Sequence, residues 1–377
     1  MSVKEDYDNL ANKLIQIYTS EYIKLSAKKA SSKVHNFPLL ASITQLQDAM
    51  SKYRENQGIE VVFEVLDLET IYANVDLKQK EASESKDDDD KPQLQYDDYL
   101  VQELLRYFKH DFFKWVNKPP CESCSNIDES TIQPLGTVVV PDHQVDGNGA
   151  TRVERYKCLK CNATIEFPRI NNPVTLLMTK RGRCGEWVNC FLLILQALLG
   201  GDEDRLRYVW NYEDHVWCEY YSYSLKRWIH LDPCEAVFDE PHLYCNNWGK
   251  KMSFVLGFNA TYMIDLSDKY ITKDKQIEKT TIVPNLTYLK DIITKINAIK
   301  LVNEYQKLSI THRGNKLESK EILLKLYNNT ILPLNQELKS LHELHQTPTP
   351  TTNTTIPQGR QTGSVEWTKQ RGEDGAS

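Results

Sequence analysis

Nine cysteines punctuate the 377-residue sequence, and they sort into two kinds. Four form a pair of C-x-x-C motifs, Cys121-Glu-Ser-Cys124 and Cys158-Leu-Lys-Cys161, with 33 residues between them. Each C-x-x-C turn presents two thiolates to one ion, and two such turns complete a tetrahedral shell. A shell of four protein ligands leaves no open position, so the expected chemistry is one structural zinc per chain. The alternative is two unrelated pairs or a redox dithiol, but neither pair has the strand–helix setting of a thioredoxin site.

Among the other five cysteines, Cys184 has a distinctive context, Arg181-Gly-Arg-Cys-Gly-Glu-Trp187. The flanking glycines permit a tight turn, and the apolar run from Trp187 to Leu195 reads as a buried helix. Cys184 then stands at a helix N-terminus, where free N–H groups and the macrodipole favour a thiolate. Arg181 and Arg183 add positive charge nearby. Cys190 falls within the same helix, where a small buried thiol is ordinary packing.

A thiolate nucleophile needs a base and a group to orient it. Alternation from Asp214 puts His215, Trp217 and Glu219 on one strand face; Trp228, His230 and Asp232 share a face of the next run. A hairpin with its turn at Tyr223–Ser224 sets His215 directly opposite Asp232, within hydrogen-bonding reach. The same register sets His230 opposite Trp217, away from any carboxylate. Alone, a His facing an Asp is most often structural; with Cys184 upstream the three read as a Cys–His–Asp triad. Attack by Cys184 would develop an oxyanion, and the Cys184 backbone N–H can supply one donor to it.

The elements that must position these groups follow from periodicity. Leu10, Leu14, Ile17 and Tyr18 make one helical stripe, which serves either the core or a partner. Residues 59–75, IEVVFEVLDLETIYANV, are rich in β-formers and read as a strand. Residues 81–91, with six acids against two lysines, read as a flexible solvated loop. Val101, Leu104, Leu105, Phe108, Phe112 and Trp115 predict one amphipathic helix ending near Asn117. The segments around 141–143 and 146–149 read as turns between short strands. Residues 280–345 read as mainly helical, with Pro333 in a first turn and Leu334, Leu338, Leu341 and Leu344 behind it. The last 32 residues hold eight Thr and three Pro and read as a disordered tail.

Composition narrows the function. Hydrophobic residues make up 40% and charged residues 26%, ordinary for a soluble globular protein. The net charge of −6 offers no basic excess for phosphate neutralisation, which argues against nucleic acid as the main partner. No apolar run has the roughly 18 residues of a membrane helix. The polar start MSVKEDYDNL has no signal-peptide core, so a reducing compartment is expected.

Gly182-Arg-Cys-Gly-Glu-Trp187, Tyr208-Val-Trp210, Asp214-His-Val-Trp217, Arg227-Trp228 and Trp248-Gly-Lys-Lys251 together resemble the cytoplasmic peptide:N-glycanases. These are transglutaminase-superfamily enzymes with a papain-like triad. The double C-x-x-C and the preceding Phe112-Phe-Lys-Trp115 resemble that family's zinc site and the helix before it. The likeness covers residues 97–270 well and the flanks weakly. Gly200-Gly-Asp-Glu-Asp204 looks like a slightly lengthened loop. The chain has no room for the N-terminal partner-binding domain of animal members, as in a shorter, fungal-type form.

The resemblance implies an α+β fold: a transglutaminase-like core over 97–270 with an inserted zinc segment, 121–161. An N-terminal region, 1–96, and a helical region, 271–345, flank it, and a tail, 346–377, follows. It implies an amidase cleaving the β-aspartyl-glucosamine bond of misfolded or denatured N-glycoproteins, with Cys184, His215 and Asp232 catalytic. Trp115 is the candidate second oxyanion donor, or else only closes its helix's apolar stripe. Glu235 and Trp248 are candidates for the glycan cleft, with core packing the alternative for Trp248. Also implied are a cytoplasmic, secondarily nuclear, location and a ubiquitin-receptor shuttle of the proteasome as partner, with no nucleic acid and no membrane insertion. A transglutaminase-like acyltransferase, a cysteine protease and a catalytically silent transglutaminase-like scaffold remain alternatives; a silent scaffold would have lost the nucleophile that is present here.

Overall fold

The computed structural model describes residues 38–53, 56–84, 93–141, 144–145, 147–199, 205–311 and 319–346. The Leu10–Tyr18 stripe, most of the acidic run, the 200–204 loop and the tail beyond 346 lie outside the described residues. The chain divides into two compact units. One comprises the described residues of Ser51–Trp210 and Asp214–Lys250 and carries every candidate site residue; the other comprises those of Met1–Met50, Asn211–Glu213 and Lys251–Thr354.

The site-bearing unit opens with two helices, α1 (Asn56–Val65) and α2 (Leu68–Glu84), where β-formers suggested a strand. Burial decides against local propensity here. Val62 and Leu66, then Ile71 and Val75, are buried at helical spacing, and Asp67 caps α2 by accepting from the Thr70 N–H at 3.1 Å. Gly58 lets α1 approach closely, since a Cβ there would lie 3.2 Å from Val174 and 3.4 Å from Leu193.

Helix α3 (Tyr96–Tyr107) is shorter than expected. The chain passes through a wide π turn, Phe108–Phe112, into strand β1 (Lys114–Trp115), so Trp115 is on a strand and not at a helix end. The Phe113 N–H closes the wide turn on the Phe108 carbonyl at 2.8 Å. The aromatic spacing that mimicked a longer helix instead builds a cluster. Phe108 meets Phe113, Phe191 and Trp187 at centroid distances of 5.0, 5.2 and 5.4 Å.

Strands β2 (Ile132–Val139), β3 (Arg152–Cys158) and β4 (Thr164–Pro168) form an antiparallel sheet in the cysteine segment. Its own core is small, drawn from Val116, Cys121, Ile132, Tyr156, Cys158, Ile165 and Phe167. Helix α4 (Pro173–Thr179), capped by Asn172, leads into strand β5 (Arg181–Gly182), which pairs parallel with β1. Helix α5 (Cys184–Leu198) follows, buried almost along its length. Strands β6 (Leu206–Asn211), β7 (His215–Ser222), β8 (Arg227–Asp232) and β9 (Val237–Phe238) lie side by side in that order, and α5 packs on β7.

In the second unit, Val255–Phe258 pairs antiparallel with Met263–Asp265. The Asn297 side chain grips the Met263 backbone N–H and carbonyl at 2.8 and 2.9 Å. Helices Leu286–Thr311, Ser319–Leu326 and Leu332–Gln346 give the mainly helical C-terminal region that periodicity indicated. Pro333 follows a π turn, Tyr327–Ile331, whose width suits a residue that lacks an N–H. Among the described residues no helix is long and apolar enough to cross a membrane.

Candidate active site and metal centre

Cys184 is the first residue of α5, with Arg183 at the N-cap in extended conformation, as the sequence indicated. It therefore stands at the end of the helix where the dipole favours negative charge. Glu186, at the third helical position, turns back to accept the Arg183 N–H at 3.1 Å. Its Cβ sits where a Cβ on residue 182 would be, at 2.3 Å, so only glycine fits there. Cys190 lies mid-helix; burial pushes its thiol well above the usual range, as expected of an inert packing residue.

The charge around the nucleophile is distributed differently from the sequence reading. Arg181 is exposed. The Arg183 guanidinium is committed to Glu154, at 2.6 and 2.7 Å, to Tyr156 and to the carbonyls of Val116 and Asn117. Arg169, from beyond β4, is a cation whose charge interacts with that of Cys184. Its burial opposes ionisation, but hydrogen bonds to Glu186 at 2.6 and 2.9 Å, the charges of Glu186 and Glu154, and that of Cys184 hold it charged. Glu154 thus ties the β2–β3–β4 sheet to the start of the nucleophile helix. Burial works against its charge, yet Arg183, Tyr156 and the charge of Arg169 hold it down at about 2.

His215 and Asp232 are brought together, by a register different from the expected one. Strands β7 and β8 pair Ser222 with Arg227, Glu219 with His230 and Cys218 with Leu231. The turn therefore spans Tyr223–Lys226 rather than two residues. Tyr223–Ser224 cannot readily adopt the positive φ of a tight hairpin turn; instead Lys226 takes φ +52°. Asp98 of α3 fixes the wider turn by accepting from Ser222 Oγ at 2.6 Å, from Ser224 Oγ and from Tyr220 Oη. The slip is two residues, so the side-chain faces are preserved. His215 reaches Asp232 diagonally, Nε2 to Oδ2 at 3.1 Å, with both side chains fully buried. Because Nε2 faces the carboxylate, Nδ1 is the nitrogen left to exchange a proton with a nucleophile. The second Asp232 oxygen accepts the Cys234 N–H at 2.8 Å.

The expectation that no carboxylate faces His230 is also corrected. Its register partner is Glu219, which is buried and ion-paired with Arg207. His230 turns its Nε2 to the Tyr244 hydroxyl instead, at 2.8 Å.

Trp115 pairs in register with Gly182, two residues before Cys184. Its indole N–H donates to Asn117 Oδ1 at 2.8 Å, and its ring lies 6.2 Å from that of Trp187. Trp248 is only 2% exposed and meets the His215 ring edge-on at 5.0 Å. It walls the imidazole rather than offering a face to a sugar. Glu235 is partly exposed and paired with Lys109 Nζ at 3.2 Å.

The four paired cysteines converge as their spacing implied. Their sulfurs all lie within 4.8 Å of one another, with Cys121–Cys161 at 3.5 Å and Cys124–Cys158 at 3.7 Å. The edge of a tetrahedron of thiolates around one zinc ion is about 3.8 Å, so the set can hold a single metal ion. The Asn126 amide donates to Cys158 Sγ at 3.5 Å, and Asn126 in turn accepts from Lys160 at 2.8 Å.

A helix that opens with Cys184 packs on the strand that carries His215, and the next strand carries Asp232. The family model of the transglutaminase-like superfamily matches residues 139–233, a span containing all three groups, and that of the Rad4 transglutaminase-like domain matches 205–322. Curated relatives named peptide-N(4)-(N-acetyl-beta-glucosaminyl)asparagine amidase match over nearly the whole chain. The Candida albicans protein is 46% identical over 99% of this chain and 97% of its own length. The Saccharomyces cerevisiae protein is 39% identical, over 98% and 97%. The Gallus gallus protein is 38% identical over 74% of this chain and 38% of its own length. The chain belongs to the peptide-N(4)-(N-acetyl-β-glucosaminyl)asparagine amidase family. A crystal structure of Rad4–Rad23 bound to a 6-4 photoproduct UV lesion aligns with TM-score 0.42 at 11% identity, covering 82% of this chain and 58% of that one. A likeness that low carries no argument about ligands.

Proposed function

We propose that this chain is an amidase that removes N-linked glycans from denatured glycoproteins by cleaving the β-aspartyl-glucosamine bond, with Cys184 as nucleophile. The observation that carries this is the buried His215–Asp232 pair, whose His215 lies on the strand against which the Cys184 helix packs, in a chain 46% identical to such amidases.

The Cys184 thiolate attacks the side-chain amide carbon of the glycosylated Asn. The imidazolium of His215, held by Asp232, gives its Nδ1 proton to the departing nitrogen as the C–N bond breaks. A thioester on Cys184 and a free glycosylamine result. His215 Nδ1 then takes a proton from water, which attacks the thioester; the sulfur leaves and the peptide keeps Asp. The released glycosylamine loses ammonia in solution. The Cys184 backbone N–H and the Trp115 indole are the donors assigned to the oxyanion, with a substrate oxygen replacing Asn117 as the indole's acceptor. Glu235 remains the assignment for a polar glycan contact; the burial of Trp248 speaks for packing.

The metal we assign to the four cysteines is zinc. Four thiolates leave no position for water or substrate, so the ion would hold a segment whose own core is small. We also assign the Leu332–Gln346 helix, on which Leu338 is half exposed, and the Leu10–Tyr18 stripe to docking a ubiquitin-receptor shuttle in the cytoplasm; binding unaffected by deletion of either, with folding intact, would refute that.

The test of function is incubation with a denatured high-mannose glycoprotein. Release of the intact glycan with Asn converted to Asp, absent in Cys184→Ala, is the expected result. An unchanged glycoprotein would refute the amidase reading.

A further inference from the structure

Tyr244 and His230 are buried beside the His215–Asp232 pair. The Tyr244 hydroxyl donates to Asp232 Oδ2 at 3.0 Å, the same oxygen that meets His215 Nε2, and lies 2.8 Å from His230 Nε2. A phenol has a single proton. Given to Asp232, it leaves the hydroxyl only acceptor capacity toward His230, so His230 Nε2 carries the hydrogen. The polarity of the chain is thereby fixed: His230 N–H to Tyr244 O–H to Asp232 Oδ2, with the His215 N–H arriving at that oxygen from the other side.

We propose that Tyr244 and His230 are positioning residues of the triad, which hold the Asp232 carboxylate in place and limit how tightly it grips the imidazolium of His215. Two donors on one oxygen share its charge, and hydrogen bonds in a chain polarise one another. Without the phenol, the carboxylate acts more strongly on His215, whose imidazolium then keeps its proton to a higher pH. The Tyr244 ring also meets the His215 ring edge-on at 5.0 Å, a contact that phenylalanine preserves. Other titratable groups lie near this chain. Burial first, and then the charge of Asp232, push the Cys218 thiol up; Glu219 is paired with Arg207. Tyr244→Phe replaces none of them; His230→Leu also changes the residue opposite Glu219.

The proposal takes its reaction from the amidase reading, but its test reads the Cys184–His215 pair directly. The rate of Cys184 alkylation by iodoacetamide is measured against pH in the full-length protein, with labelling stoichiometry defining the folded fraction. Tyr244→Phe should move the upper inflection, where the imidazolium loses its proton, upward by a fraction of the roughly one to two pH units that a whole hydrogen bond to a charged group is worth. His230→Leu should move it the same way by less, and His230→Gln, which keeps an N–H donor, should return it toward wild type. A Tyr244→Phe profile superimposed on wild type, at equal labelling, overturns the proposal. If Tyr244→Phe does not fold, His230→Leu decides, and an unshifted profile overturns it equally. Wild-type inflections without any glycan release would sink the amidase reading and leave the relay standing.

Discussion

Glu154→Gln removes the charge that joins the cysteine segment to the nucleophile helix. The Glu154 carboxylate accepts from Arg183 at 2.6 and 2.7 Å, from Arg169 at 3.1 Å and from Tyr156 at 2.6 Å. Arg183 is 1% exposed, so the substitution leaves a buried guanidinium short of its counter-charge. Breaking one partner of such a pair costs about 3–5 kcal/mol. Against the effect of burial, the same contacts, those of Arg183 first, hold the Glu154 carboxyl down from 4.5 to about 2. Its folded-state value lies below its unfolded one. The stabilisation is therefore fully present above about pH 4.5 and is lost as pH falls toward about 2. Calorimetry at pH 7 should show Glu154→Gln melting roughly 6–20 °C below wild type, at 2–4 °C per kcal/mol. The gap should narrow as pH drops toward about 3 and close toward about 2, because only wild type has a carboxylate to protonate. A variant within about 1 kcal/mol of wild type at pH 7, or a gap independent of pH, would show that the bridge does not carry this load.

Other outcomes follow from the same geometry. Strong chelation should lower the melting temperature and turnover together, since metal binding of order 10 kcal/mol is coupled to folding of the segment that anchors Arg183; active protein without zinc by elemental analysis would contradict this. Gly182→Ala should destabilise by about 1–3 kcal/mol, because its Cβ meets Glu186; a wild-type melting curve would refute the close packing. Trp115→Phe keeps the apolar surface and removes the indole donor, so turnover should fall roughly 10²-fold with little change in melting temperature. Turnover within a few-fold of wild type would leave Trp115 a packing residue.

The site was more legible in the sequence than the scaffold. Paired C-x-x-C spacing is local, and so is a cysteine between glycines ahead of an apolar helix. Strand alternation placed His215 and Asp232 on compatible faces even with the register off by two, because a two-residue slip preserves the period. The slip itself was not readable: Asp98, more than a hundred residues upstream, fixes the turn through Ser222 and Ser224. Helices α1 and α2 were misread because Val and Ile propensity is weak beside the burial of Val62, Leu66, Ile71 and Val75. The π turn and β1 depend on pairing with Arg181–Gly182, a partner that local periodicity cannot see. Glu186 could have been found as an acid three residues past a helix N-cap. Tyr244, Arg169 and Glu154 carried no local signal.

Water labelled with heavy oxygen tests the central chemistry most directly. A thioester on Cys184 that water resolves must leave one solvent oxygen in the new Asp side chain and a glycan that retains both core N-acetylglucosamines. Mass spectrometry of the peptide formed in labelled water should therefore find Asp carrying one heavy oxygen, with no product from Cys184→Ala. A peptide still bearing N-acetylglucosamine on Asn, or label incorporated by Cys184→Ala at the wild-type rate, would contradict amide cleavage through Cys184.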